Sequence, residues 1–273
     1  MYLNGSIVEQ EQAGVSLMDI GLLRGYGVFE VIRTFGKKPF LLPAHLERLG
    51  KSAAFMNIRV PSSNKEITRA IGELIEKNGV EKEAQIRIVL TGGPSKDSIT
   101  FDSTTPTFFI LVNELPQLPR DLYEKGIMLV TAEHQRQIPL VKTLDYLKAV
   151  RMYPEVRAKG AFEILYVHDG NILEATTSNF FIVKDGVAIT PKDSILLGTT
   201  RNFVIDLCKK NGIPLKEREL TFEELKSADE AFITATNKDV VPVVKVGEIT
   251  IGTGTPGPLT QRLMNLFQEA AIT

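Results

Sequence analysis

Residues 138–147 read Ile138-Pro139-Leu140-Val141-Lys142-Thr143-Leu144-Asp145-Tyr146-Leu147, an apolar run with one lysine at its centre. Its flanks change character: Gly126 to Thr131 reads as a strand, and Leu144 to Lys159 as largely helical despite Pro154. Upstream, Asn113 to Asp121 carries Pro116 and Pro119, which remove donors and fix φ, and so makes the best linker. The expected organisation is a small N-terminal domain over 1–115, a linker over 116–125 and a larger domain over 126–273. Lys142 itself has two local readings. Apolar neighbours would lower its pKa toward a nucleophilic free amine; equally, its stem could pack on them while the ammonium reaches water.

Outward from this segment, turn and cap signals delimit the remaining elements. Asn4-Gly5 predicts a tight hairpin within Tyr2 to Val8. Val28 to Phe35 alternates as a strand, turns at Gly36-Lys37-Lys38, and returns through Pro39 to Leu42. A helix over 43–56 turns Leu46, Leu49, Ala53 and Phe55 or Met56 inward, and Ser63 with Glu66 forms a capping box for a second helix ending at Asn78-Gly79. Gln85 to Leu90 and Pro106 to Val112 read as strands around a long loop. Ala161 to Thr190 holds three or four strands with hairpins at Asp169-Gly170 and Asp185-Gly186. A helix from about Thr200 stops at Gly212, Thr221 and Glu224 repeat the capping-box spacing, Glu230 to Val246 is strand-forming, and Pro258 to Ala270 closes the chain as an amphipathic helix.

The chain has 273 residues, 43% hydrophobic and 24% charged, which is enough to build two cores. Thirty-two basic against thirty-three acidic residues leave a net charge of −1, so no global field favours nucleic acid or an anionic membrane. The single cysteine, Cys208, excludes an internal disulfide and a thiolate metal cluster; lying among Phe203, Val204 and Leu207, it reads as core. With no cationic start before an apolar run and no apolar stretch of membrane-spanning length, a cytoplasmic location is expected. Gly25-Tyr26-Gly27 lacks the third glycine of a dinucleotide fingerprint, and Thr91-Gly92-Gly93-Pro94-Ser95-Lys96 lacks phosphate-loop spacing. His45, His134 and His168 lack the spacing that pairs two imidazoles on one helix face, so no metal site is expected.

Three pieces are locally ambiguous. Gly198-Thr199-Thr200-Arg201 opens a helix whose first amides suit a phosphate, although simple N-capping by either threonine explains the same letters. Thr234-Ala235-Thr236-Asn237 is a second small-residue turn of the same kind. Glu174, beside Thr176, Thr177 and Ser178, reads locally as a solvated strand-end carboxylate.

Taken in order, Arg24-Gly25-Tyr26-Gly27-Val28-Phe29-Glu30, His45-Leu46-Glu47-Arg48-Leu49, Lys142-Thr143-Leu144-Asp145-Tyr146, Leu173-Glu174-Ala175-Thr176-Thr177-Ser178-Asn179-Phe180, Gly198-Thr199-Thr200-Arg201 and Asp239-Val240-Val241-Pro242-Val243 resemble the class IV (fold type IV) pyridoxal-phosphate aminotransferases. That family includes branched-chain and D-amino-acid aminotransferases and aminodeoxychorismate lyase, and the resemblance spans nearly the whole chain. It implies an α/β N-terminal sandwich, a barrel-like α+β C-terminal domain, a homodimer, and pyridoxal 5'-phosphate carried on Lys142. By the same resemblance Glu174 pairs with the pyridine nitrogen, Tyr146 lies beside the ring, and Arg48, Thr199, Thr200 and Thr236 hold the phosphate. The implied reaction moves an amino group between an amino acid and a 2-oxo acid. Within the family the alternative is lyase chemistry releasing pyruvate to give 4-aminobenzoate; outside it stands a non-catalytic cofactor-binding protein. Where D-amino-acid aminotransferases of the usual type place an arginine and a histidine two residues apart, this chain carries Lys96 and Ser98, and Asp145 replaces a common asparagine. Arg24, Phe29, Arg33 and Lys96 are the candidates for the substrate.

Overall fold

Asn4 and Gly5 adopt positive φ of 46° and 100°, so the chain reverses between β1 (Tyr2–Leu3) and β2 (Ser6–Ile7), and the Asn4 side chain accepts the Phe108 amide. This turn begins the computed structural model, which describes residues 1–272. They fall into two compact units, Met1–Pro116 with Val141–Asp145, and Gln117–Leu140 with the chain from Tyr146 onward. The five residues around Lys142 thus pack with the first unit, although the sequence reading put them inside the stretch 126–273.

In the first unit, α1 (Ile20–Arg24) precedes the long strand β3 (Gly27–Phe35), which turns into β4 (Lys38–Pro39). Helices α2 (Leu42–Phe55) and α3 (Asn64–Lys77) follow, then β5 (Ala84–Thr91) and β6 (Thr107–Glu114). The sheet order is β2-β1-β6-β5-β3-β4. Strand periodicity sends Val28, Glu30, Ile32 and Thr34 to one face, all fully buried, and Phe29, Val31 and Arg33 to the other. Leu46 and Leu49 of α2 and Ile67, Ile71 and Leu74 of α3 are buried as well. At the end of α2 it is Met56 that is buried, while Phe55 stays 62% exposed. The Ser63–Glu66 capping box is formed in both directions.

The second unit contains α4 (Asp121–Glu124), β7 (Ile127–Glu133), α5 (Leu147–Ala158) and four strands, β8 (Glu163–His168), β9 (Asn171–Ala175), β10 (Asn179–Lys184) and β11 (Val187–Thr190). Then come α6 (Thr199–Lys210), β12 (Leu215–Glu217), β13 (Leu220–Thr221), α7 (Phe222–Leu225), β14 (Glu230–Ala235), β15 (Asp239–Val246), β16 (Ile249–Thr250) and α8 (Pro258–Ile272). The path β10-β14-β15-β7-β8-β9 returns to its start because β9 also pairs with β10, at Glu174 opposite Asn179. Six strands therefore close into a ring. Its apolar filling includes Leu129, Leu165, Phe180, Ile233 and Val241. Asp169-Gly170 and Asp185-Gly186 take positive φ at the predicted hairpins, and the Thr221–Glu224 capping box is formed. Among the described residues no helix is long and apolar enough to cross a membrane.

One buried carboxylate anchors the first unit. Asp19 is fully buried, caps α1 through the Gly21 amide at 2.7 Å, and accepts from Thr91 at 2.9 Å and Thr107 at 2.5 Å. Asp19→Ala leaves two buried hydroxyls and one amide without their acceptor and should lower unfolding stability by about 3 kcal/mol, read from urea denaturation. A loss below about 1 kcal/mol would show the cluster to be incidental.

Candidate active site

The backbone around Lys142 is pinned to β3. The Phe29 amide donates to the Lys142 carbonyl at 3.0 Å, the Leu144 amide to the Gly27 carbonyl at 3.0 Å, and Thr143 bridges Val28 in antiparallel fashion. The segment is in effect a short added edge on β3. Gly27 permits this approach, since a Cβ there would sit 2.8 Å from Leu144 Cδ1 and 2.7 Å from the Leu90 carbonyl. The Lys142 amine lies 4.5 Å from the centroid of the buried Phe29 ring. The residue is half-buried, so it is not sealed from water as a fully desolvated amine would be.

Behind Phe29, Glu30 is fully buried and accepts from Arg48 Nε and Nη2, each at 2.7 Å, and from His45 Nδ1 at 2.8 Å. Burial alone would raise its pKa, but the Arg48 guanidinium, with His45, holds the carboxyl down to about 2. The His45 imidazole is pushed down by burial despite the pull of Glu30, and so is neutral near pH 7. Arg48, the expected phosphate ligand, is thereby fixed in orientation by a bidentate clamp.

The four substrate candidates separate. Phe29 lies directly beneath the Lys142 amine. Arg33 follows it on the same strand face, its guanidinium 4.0 Å from the Phe35 ring. Arg24 is exposed and donates to its neighbour, the Leu23 carbonyl, at 2.8 Å. Lys96 is exposed in the loop whose Asp97 carboxylate gathers the Ile99 and Thr100 amides at 2.9 and 2.7 Å. The sequence reading passed over Arg87. It pairs across β5 with Val31, and its guanidinium lies 5.6 Å from the same Phe29 ring that carries Lys142. Strand alternation and register from Phe29 would have found it.

In the second unit Glu174 is buried, not solvated as its sequence neighbours suggested. Its Oε1 accepts from Arg136 Nε at 2.7 Å and its Oε2 from the Leu196 amide at 3.0 Å. Arg136, also unforeseen, is tethered in turn to the Pro139 carbonyl at 2.5 Å. Burial pushes the Tyr146 phenol up to about 12, with Arg136 opposing and Glu174 adding to the rise, so the hydroxyl stays protonated.

Helix α6 starts at Gly198 with no side-chain cap, so N-capping by Thr199 or Thr200 does not explain those letters; both threonines are buried in its first turn. Arg201 turns away to the Pro191 carbonyl and Glu217. Gly198 is required because a Cβ would collide with Asn179 Oδ1. Thr236 lies in the turn joining β14 to β15, and the buried hydroxyl of Thr234 just before it has no partner among the described residues. Separately, Glu133, His168 and Asp169 bring potential metal-ligand atoms within 4.8 Å of one another, as a surface ion-pair cluster.

The sequence model of class IV amino-transferases matches residues 27–246. The chain belongs to that family. It is similar to the D-alanine aminotransferase of Bacillus licheniformis, 33% identical over 99% of this chain and 96% of the other. The Escherichia coli branched-chain amino acid aminotransferase structure superposes with a TM-score of 0.90 at 32% identity, covering 98% and 92% of the two chains. The branched-chain enzyme of the archaeon Thermoproteus uzoniensis, solved with norvaline, gives 0.87 at 29%, covering 99% and 94%. A further branched-chain amino acid aminotransferase structure, holding pyridoxamine 5'-phosphate, gives 0.89 at 29%, covering 99% and 93%. Within each unit of this class IV aminotransferase the groups present suit the family's cofactor: in the first an amine on an aromatic seat, and in the second a braced carboxylate, a helix start without a side-chain cap and an unpartnered hydroxyl near Thr236.

The Glu30–His45 pair has a pH signature. His45 has a folded pKa below its ordinary 6.5, so the unfolded chain takes up a proton that the folded protein refuses, and stability falls as pH drops below about 6.5. Glu30 adds a second loss as pH falls from about 4.5 toward about 2. Urea midpoints between pH 8 and 5 should decline in the wild type and flatten in His45→Asn; an unchanged slope would exclude His45 as the group responsible.

Proposed function

We propose that this class IV aminotransferase holds pyridoxal 5'-phosphate on Lys142 and moves an amino group between a branched-chain or D-amino acid and a 2-oxo acid. The observation that carries this reading is the Lys142 amine, bridged by backbone to β3 and seated over Phe29, in a chain that also presents a buried, arginine-braced carboxylate at Glu174. When bound, the cofactor supplies an electron sink for the carbanion at the substrate α-carbon. Lys142 then acts as the base that takes the α-proton and returns it, and Phe29 shields one side of its amine from water. Glu174, with Arg136 and the Leu196 amide fixing both oxygens, holds a proton against the ring nitrogen. Arg48, set by Glu30, would hold the phosphate together with the start of α6 at Thr199 and Thr200 and with Thr236. Tyr146, kept protonated, offers a hydroxyl donor beside the ring.

For the substrate carboxylate, Arg87 and Arg33 are better placed than Lys96, because both lie on the strand face that bears Phe29, and a guanidinium grips a carboxylate with two parallel bonds. A homodimer is supported by the exposed apolar side of α5, where Leu147, Val150 and Tyr153 are 76%, 70% and 55% exposed. Balanced charge and one buried, reduced cysteine support a cytoplasmic setting.

The test is a panel of D- and L-amino acids added to purified protein loaded with pyridoxal 5'-phosphate. Productive donors should convert the absorbance of the lysine-bound cofactor to that of pyridoxamine phosphate, and Lys142→Ala should lose both the starting band and turnover. Silence across the whole panel would sink the transaminase reading. Arg87→Gln should raise KM for the acid substrates about tenfold or more with a smaller change in kcat. The same effect from Lys96→Gln, with Arg87→Gln neutral, would transfer the role to the loop.

A further inference from the structure

The second unit holds a buried lysine to which the proposed reaction gives no role. Lys238, 7% exposed, ends the turn between β14 and β15, one position beyond Asn237 and two beyond Thr236. Its ammonium donates to the Glu163 carboxylate, to Thr177 Oγ1 at 2.5 Å and to Ser178 Oγ at 3.1 Å. Three donors are thus committed, and the charge is met by a carboxylate at the start of β8. Lys238 is therefore no second nucleophile.

Glu163 is equally committed. It accepts the Thr177 amide at 3.0 Å, the Thr177 hydroxyl at 3.0 Å and the Ser178 hydroxyl at 2.9 Å, in addition to Lys238. Burial raises its pKa, but Lys238 and these donors outweigh burial and hold the carboxyl below its ordinary value. Each hydroxyl both accepts from Lys238 and donates to Glu163, so neither can rotate without losing a bond to a buried charge.

The three segments tied in this way are the start of β8, the turn 175–178 and the turn 236–238. The turn 175–178 follows Glu174 directly and is closed by the Ala175 amide on the Ser178 carbonyl at 2.7 Å. The turn 236–238 carries Thr236. Glu163, Thr177 and Lys238, together with Arg157 and Thr176, are the polar members of the lining of a cavity of about 590 Å³ whose other walls, including Val150, Tyr153 and Phe162, are mainly apolar. In such surroundings an unsatisfied member would be costly, which makes the geometry stiff.

We infer that Lys238 and Glu163 are positioning residues: through Thr177 and Ser178 they lock the turn behind Glu174 to the turn bearing Thr236, so that ring-nitrogen partner and phosphate donor are held as one body. This rests on the cofactor reading above. Apoprotein is titrated with pyridoxamine 5'-phosphate, which cannot bond to Lys142, and the dissociation constant, the absorbance maximum of the bound form and the apoprotein melting temperature are recorded. Lys238→Met and Thr177→Val should each weaken binding about tenfold and shift the absorbance of bound cofactor, and Lys238→Met combined with Glu163→Gln, which relieves the buried charge but leaves the two turns untied, should regain melting temperature without regaining affinity. Thr177 is exposed and its loss leaves the ion pair standing, so Thr177→Val decides the matter even where Lys238→Met does not fold. Variants that melt lower yet bind with the wild-type constant and spectrum would reduce the cluster to a structural role and overturn the inference. Wild-type apoprotein that binds neither cofactor form would overturn the functional reading itself, a result separable from unaltered binding in the variants alone.

Discussion

The second unit depends on one strand pairing, Glu174 opposite Asn179, where β9 meets β10 and the six-strand ring closes. An open sheet would leave two edges of unpaired backbone; closure removes them and fixes the stagger of every strand. The same two residues do a second job. Asn179 donates to the Leu196 carbonyl at 2.7 Å while the Leu196 amide donates to Glu174 at 3.0 Å, so the segment leading to α6 is strapped across the closure point. Gly198 follows two residues later and has no room for a Cβ beside Asn179. The carboxylate assigned to the ring nitrogen and the helix start assigned to phosphate are therefore set by one closing event.

In the first unit the corresponding constraint is the bridge between Val141–Asp145 and β3. It goes with a difference from the sequence reading: the predicted helix from Leu144 begins only at Leu147, because Thr143 and its neighbours are held in an extended antiparallel pairing on β3. Local propensity gives way here to a long-range pairing, beside the residue proposed to carry the cofactor.

Features written in adjacent residues were legible: the Asn4-Gly5, Asp169-Gly170 and Asp185-Gly186 turns, both capping boxes, and the alternation of β3 all appear where their letters put them. Lys142 and Glu174 looked ordinary by themselves and were singled out only by ordered resemblance. Arg136, Arg87 and Lys238 escaped because each gains meaning from a partner far along the chain. Arg136 meets Glu174 38 residues away, and Lys238 meets Glu163 75 residues away. Glu174 misled for the same reason: its polar neighbours Thr176 to Ser178 suggested water, whereas Thr176 bonds to Ile164 and the other two face Glu163 and Lys238.

Three buried carboxylates, Glu30, Glu163 and Glu174, recur beside the assigned site residues, each with a different partner set. Glu30 takes a guanidinium and an imidazole, Glu163 an ammonium and two hydroxyls, Glu174 a guanidinium and a backbone amide. Buried ion pairs roughly break even against apolar replacements, so stability alone does not account for three of them. What they provide is direction, since a charge with several short, angled bonds can occupy one orientation and no other. Apolar replacements within each unit would pack as well, yet they would leave Arg48 in the first unit, and Arg136 and the turn 175–178 in the second, free to choose among conformers. In the proposed reaction that choice has to be made before the substrate arrives, and each network makes it within its own unit.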